Sequence, residues 1–197
     1  MNPVGYLRNT TKGLVGEPGV GYQFILAGNG LFVQAERPDL KATVQVSEAR
    51  IPGLAPLEAG IELPYGKIPM KLWESVLRIF WQAMPQERLL TICGFGRGVY
   101  LTQFPEQETT RSSVRYQPLS GHLFEVHSHG LLRAFFSSTD DADEQGFRIY
   151  GCVGSHEGHQ EYELRVGIYG HWAPLELGQV FDGLVTGSPN LTLWGAR

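Results

Sequence analysis

At 197 residues the chain is long enough to bury a sizeable core, and its 42% hydrophobic content argues against disorder. A formal charge of −4 with a pI near 5.9 leaves no broad basic field, so nucleic acid is not an expected partner. Cys93 and Cys152 lie far apart and outside any Cys-x-x-Cys spacing, and are expected as reduced, buried thiols. Met1 to Asn9 lacks the basic-then-apolar profile of a signal peptide, and no stretch approaches a membrane span; a cytoplasmic location away from membranes is the expectation.

Residues 1–66 are rich in glycine and proline and read as a small β-rich module. The Gly13 to Gly21 stretch has glycines but no Lys-Ser/Thr ending, so it reads as a flexible turn and not a phosphate loop. Tyr22 to Ala27 and Leu31 to Glu36 flank Gly28-Asn29-Gly30, a hairpin signal. Ala42 to Glu48 alternates Val44 and Val46 with Gln45 and Ser47, which predicts a third strand with one buried face. Proline- and glycine-containing segments from Ile51 to Pro56 and Leu63 to Gly66 read as irregular connections.

Pro69 opens the clearest helix: Leu72, Trp73, Val76, Leu77, Phe80, Ala83 and Met84 recur at steps of three and four, and Pro85 ends the run. Arg88 to Phe95 and Val99 to Phe104 form a second hairpin candidate around Gly96-Arg97-Gly98. Leu123 to His129 reads as a strand. After Ser137, hydroxyl and acidic residues through Glu144 favour a helix start. Phe147 to Val153, Glu161 to Tyr169 and Leu191 to Trp194 read as strands, with Gly178 to Leu184 a short helical or turn segment.

One short segment carries chemistry. Histidines two apart on a strand project to the same face, so His127 and His129 can offer ring nitrogens to one cation. Asp140 supplies an oxygen ligand, and three protein ligands leave a fourth tetrahedral position for water, the mark of a hydrolytic zinc site. A lone His-x-His pair is ordinary decoration; the spacing of Ser137 and Asp140 makes this one specific. Asp141 and Asp143 read as solvated helix-start acids, His156 and His159 as residues of a strand connection, and His122 and His171 carry less signal still.

The segment resembles the JAB/MPN metalloprotease family, whose JAMM motif is a glutamate, then His-Ser/Thr-His, seven residues, Ser, two residues and Asp. His127-Ser128-His129, Ser137 and Asp140 match it, and Pro85 to Gly94 fits the place of the upstream glutamate, making Glu87 the match; Glu74 is the alternative carboxylate. The resemblance covers roughly residues 67–185. More narrowly, Ala134 to Glu144 and the extra amino-terminal module look like the PRTRC system protein A subfamily, whose cassettes carry ThiF-like and ubiquitin-like neighbours. Gly130 departs from the proline that many members have after the second histidine.

The resemblance implies an α/β (α+β) fold: a curved mixed sheet flanked by helices over residues 67–197, preceded by the β-rich module of residues 1–66. It implies one zinc ion with a bound water, Glu87 as general base and Ser137 as the hydroxyl that steadies the tetrahedral intermediate. The expected activity is hydrolysis of an amide bond at the carboxyl end of a ubiquitin-like protein or its conjugate. Hydrolysis of small peptide or amino-acid adducts and a non-catalytic scaffold are the competing expectations.

Overall fold

The computed structural model describes residues 2–111, 113–116 and 120–183. The chain is α+β and mostly strand, in two six-stranded sheets joined by one core. The first sheet comprises β1 (Val4–Thr10), β2 (Gly13–Glu17), β3 (Tyr22–Ala27), β4 (Gly30–Arg37), β5 (Leu40–Glu48) and β6 (Gly60–Glu62), in the order β2-β1-β3-β4-β5-β6. A short β7 (Ile68–Pro69) leads into α1 (Met70–Ala83). Then come β8 (Leu89–Gly94), β9 (Tyr100–Gln103), a small hairpin of β10 (Gln107–Thr109) and β11 (Val114–Tyr116), and β12 (Phe124–Ser128). A six-residue α2 (Ser138–Asp143) precedes β13 (Arg148–His156), β14 (His159–Ile168), β15 (His171–Pro174), α3 (Leu177–Val180) and β16 (Phe181–Asp182).

The hairpins at Tyr22–Ala27 and Gly30–Arg37 and at Leu89–Gly94 and Tyr100–Gln103 form where their turn residues indicate. The Gly13 to Gly21 stretch departs from its reading as a flexible turn: Gly13–Glu17 is the edge strand β2, antiparallel to β1. All five of its residues are exposed, so no hydrophobic alternation could announce it. Val46 also departs from expectation. A register shift opposite Leu31 and Phe32 leaves Val46 without a partner, and this bulge turns it outward while Val44 stays buried. The short strands β10, β11 and β15 were not anticipated, and the Leu191 to Trp194 expectation lies outside the described residues.

The second sheet, ordered β15-β14-β13-β12-β8-β9, is mixed: β12 runs parallel to β13 and antiparallel to β8. Its register sorts side chains onto two faces. Leu90, Ile92, Phe124, Val126, Ile149 and Val166 belong to one continuous core that also takes in Trp73, Val76, Leu77 and Phe80 of α1. Trp73 anchors it, with its ring 6.0 Å from Phe124 and 5.1 Å from Phe181. Val33, Leu40, Ala42 and Val44 of the first sheet enter the same core. Where flanking helices were expected, α1 and the first sheet therefore share this face. The opposite face carries Glu125, His127, Cys152 and Arg165, and is overlain by the 129–137 connection and α2.

Candidate metal centre

His127 comes from β12, and His129 lies just beyond its end, held in extension by its backbone N–H donating to Val153 O at 2.8 Å. Gly130 then turns the chain away with φ +53°, and a Cβ there would sit 2.6 Å from Pro85 O. A proline, with φ fixed near −65°, cannot occupy this conformation. The outgoing loop passes so closely over β13 that a Cβ on Gly154 would meet Ala134 N at 2.3 Å. Ser155 N–H donates to both Gly130 O and Leu132 O, fixing the loop above the sheet.

That loop delivers Ser137 as the N-cap of α2. Asp140 N–H donates to Ser137 Oγ, while Ser137 N–H and Oγ–H both donate to Asp140 Oδ2 at 2.6 Å, a reciprocal capping box. The cap aims the carboxylate at the two imidazoles. His127 Nε2 lies 3.1 Å from His129 Nε2 and 3.4 Å from Asp140 Oδ1, and His129 Nε2 lies 3.9 Å from Asp140 Oδ2. Ligand bonds of about 2.0–2.1 Å in a tetrahedron place neighbouring donors roughly 3.3 Å apart. His127 Nε2 keeps that spacing to His129 Nε2 and to Asp140 Oδ1, while His129 approaches the other carboxylate oxygen at 3.9 Å; two imidazoles and one carboxylate so arranged could hold a zinc ion.

The protonation states suit the same purpose. Burial lowers the His127 imidazole to about 4, and burial also lowers His129, so both rings are neutral with lone pairs available. Asp140 is held below its ordinary value, because His127 and the two Ser137 bonds outweigh the opposing effect of burial. Glu87, buried two residues before β8 with its N–H donating to Thr110 O, lines the same cavity. Burial, reinforced by the Asp140 charge, raises its carboxyl to about 7. Glu74 stays half-buried on α1 and is not among the residues lining this cavity.

The cavity, about 290 Å³, is also bounded by Tyr116 of β11, Leu132 and Phe135 of the overlying loop, and Glu125. Ser128 points to the other side, its Oγ accepting from Arg88 N–H at 2.9 Å. Ser137 Oγ is turned to Asp140 and here fixes that carboxylate. His156 and His159 sit at either end of the tight β13–β14 turn through Glu157 and Gly158, both with positive φ.

The structure gives five residues contacts at this site that their sequence positions alone do not assign. Glu125 is buried and accepts from Tyr116 Oη at 2.9 Å and Arg148 at 2.9 Å, with His122 Nε2 at 2.7 Å. Cys152, directly beside His127 in the parallel register, brings its sulfur within 4.8 Å of donor atoms of both histidines. Glu144 lies with its Oε1 3.7 Å from His127 Nδ1 and is bound by Arg165. Asp141, read as a solvated acid, pairs with Arg165 at 2.6 Å. The four-residue step from Asp140 to Glu144 in a helix-start segment was the available signal for Glu144; Arg165, on another strand, had none.

No protein-family model matches the chain, and no curated protein matches it. No helix among the described residues is long and apolar enough to cross a membrane.

Proposed function

We propose that the chain is a zinc-dependent peptidase or isopeptidase of the JAMM type, built on a JAB/MPN-like sheet, acting on the carboxyl end of a ubiquitin-like protein or its conjugate. The observation that carries this reading is the convergence of His127 Nε2, His129 Nε2 and the Asp140 carboxylate within 3.1–3.9 Å, beside the buried Glu87 in one cavity. His127, His129 and Asp140 would hold a zinc ion, whose chemistry there would be to acidify a water and polarise a carbonyl.

Glu87 then does the proton work. Burial and the Asp140 charge raise this carboxyl to about 7 in the metal-free protein, a bound cation offsets part of that rise, and the carboxylate takes a proton at one step and returns it to the leaving amine at the next. Asp140 stays ionised and oriented by the Ser137 cap. Should the Ser137 hydroxyl swing from Asp140 toward a developing oxyanion, the Ser137 N–H bond still holds the carboxylate. A cavity of about 290 Å³ takes a few residues of extended chain and not a folded domain, so the scissile bond belongs to a tail or a short peptide.

The test combines metal analysis of the purified protein with cleavage of ubiquitin-like fusions and short peptides by the wild type, Glu87→Gln and His129→Ala. Glu87→Gln is expected to keep zinc and lose turnover, and His129→Ala to lose both. Turnover by metal-free Glu87→Gln at the wild-type rate overturns the assignment, and cleavage of short peptides alone moves the substrate class to small adducts.

A further inference from the structure

We infer that Arg165 and Glu144 are a positioning pair that holds His127 and Asp140 in register for the metal; this rests on the metal reading of the site. The helix that presents Asp140 is six residues long and buries none of them, so apolar packing does not set its place. The Ser137–Asp140 cap orders the helix within itself but does not tie it to the sheet. Arg165, reaching up from β14, does.

Its Nη1 meets Asp141 Oδ1 at 2.6 Å, while Nη2 and Nε both donate to Glu144 Oε2, at 2.6 and 2.9 Å. Asp141 and Glu144 stand one and four positions after Asp140, so one guanidinium grips the turn that follows the ligand. The guanidinium is in turn fixed against aromatic faces, 3.8 Å from the Phe136 ring centroid and 4.9 Å from that of Trp172. Trp172 Nε1–H donates to Glu144 O at 3.2 Å, closing the arrangement. A lysine has neither the planar fork nor the stacking surface for this geometry.

Glu144 carries the constraint on to the histidine. With Oε2 committed to Arg165, its Oε1 faces His127 Nδ1 at 3.7 Å, on the side of the ring away from Nε2, which faces Asp140. Burial raises the Glu144 carboxyl to about 8 against the opposing pull of Arg165, and in its ionised form the oxygen on that side favours a proton on Nδ1 and leaves the Nε2 lone pair for the cation. Arg165 also offsets part of the repulsion among Asp140, Asp141 and Glu144.

The test compares wild type, Arg165→Lys, Arg165→Met and Glu144→Gln by zinc affinity in competition with a chromophoric chelator. A second readout takes the ¹⁵N shifts of the His127 ring in metal-free protein. Zinc affinity is expected to fall roughly 10- to 100-fold in all three variants, with lysine giving little rescue. In Glu144→Gln the metal-free His127 ring is expected to shift population away from the Nδ1–H tautomer. Folded variants that bind zinc within twofold of wild type and leave the ring shifts unchanged overturn the inference. If Arg165→Met does not fold, the near-isosteric Glu144→Gln decides it. A wild type that takes up no zinc sinks the metal reading alone, because the ring shifts still report whether Glu144 orients His127.

Discussion

Replacing Glu87 by glutamine in metal-free protein separates a carboxyl kept for chemistry from one kept for stability. Burial and the neighbouring Asp140 charge raise Glu87 from 4.5 to about 7, so between those values the folded chain holds a proton that the unfolded chain has released. Below pH 4.5 the carboxyl is protonated in both states and costs the fold nothing. Above pH 7 it is ionised in both, and the folded state bears the full penalty. At about 1.36 kcal/mol per pH unit, that interval gives an upper bound of about 3 kcal/mol, which water in the open cavity reduces. Glu87→Gln removes the penalty, so in chelator the variant is expected to match wild type near pH 4 and to exceed it at pH 8. For a chain of this size each kcal/mol raises the melting temperature by roughly 2–4 °C. Denaturant or thermal unfolding across pH 4–8 measures the difference. A variant less stable than wild type at pH 8, or a difference that does not change with pH, refutes the reasoning.

The same carboxyl predicts a wild-type pH–rate profile with an acid limb; because a bound dication favours the ionised carboxylate, the limb falls below pH 7 in the metal-loaded protein. Deleting residues 1–66 strips Val33, Leu40, Ala42 and Val44 from the shared core, so residues 67–197 alone are expected to lack cooperative unfolding and dispersed amide resonances. A truncated chain that unfolds cooperatively with the full-length slope per residue argues instead for two separable units. Trp73→Ala empties the centre of the aromatic cluster and is expected to lower stability by about 3–5 kcal/mol in equilibrium denaturation, with the metal face on the other side of the sheet left in place.

Legibility in the sequence followed the range of the forces involved. The α1 stripe was readable because Trp73, Val76, Leu77 and Phe80 recur at the helical period and all point into one core. The turns were readable because positive φ selects glycine. Strand β2 was silent because both its faces meet solvent, and Val46 was misread because a bulge on the pairing, invisible in either strand alone, resets the alternation. Of the candidate centre, His127, His129, Ser137 and Asp140 were legible because one strand, one loop and one helix cap present them within fourteen residues of chain.

What was illegible is what joins that segment to the rest. Arg165 lies on β14 and Cys152 on β13, each brought in by sheet register. The distinction has a physical consequence. The ligand segment alone can supply the donor types, but its helix buries nothing and is tied to the sheet by Arg165, which also holds Glu144 beside His127 Nδ1. Ligand identity is therefore local, whereas the separation of the donors, which decides whether they fit one ion, is a property of the folded sheet. A peptide spanning residues 125–145 is accordingly expected to bind zinc far more weakly than the intact chain, since it must order the loop and the helix at the cost of the binding energy. Comparable affinity for the two in the same chelator competition refutes the division between local and sheet-borne determinants.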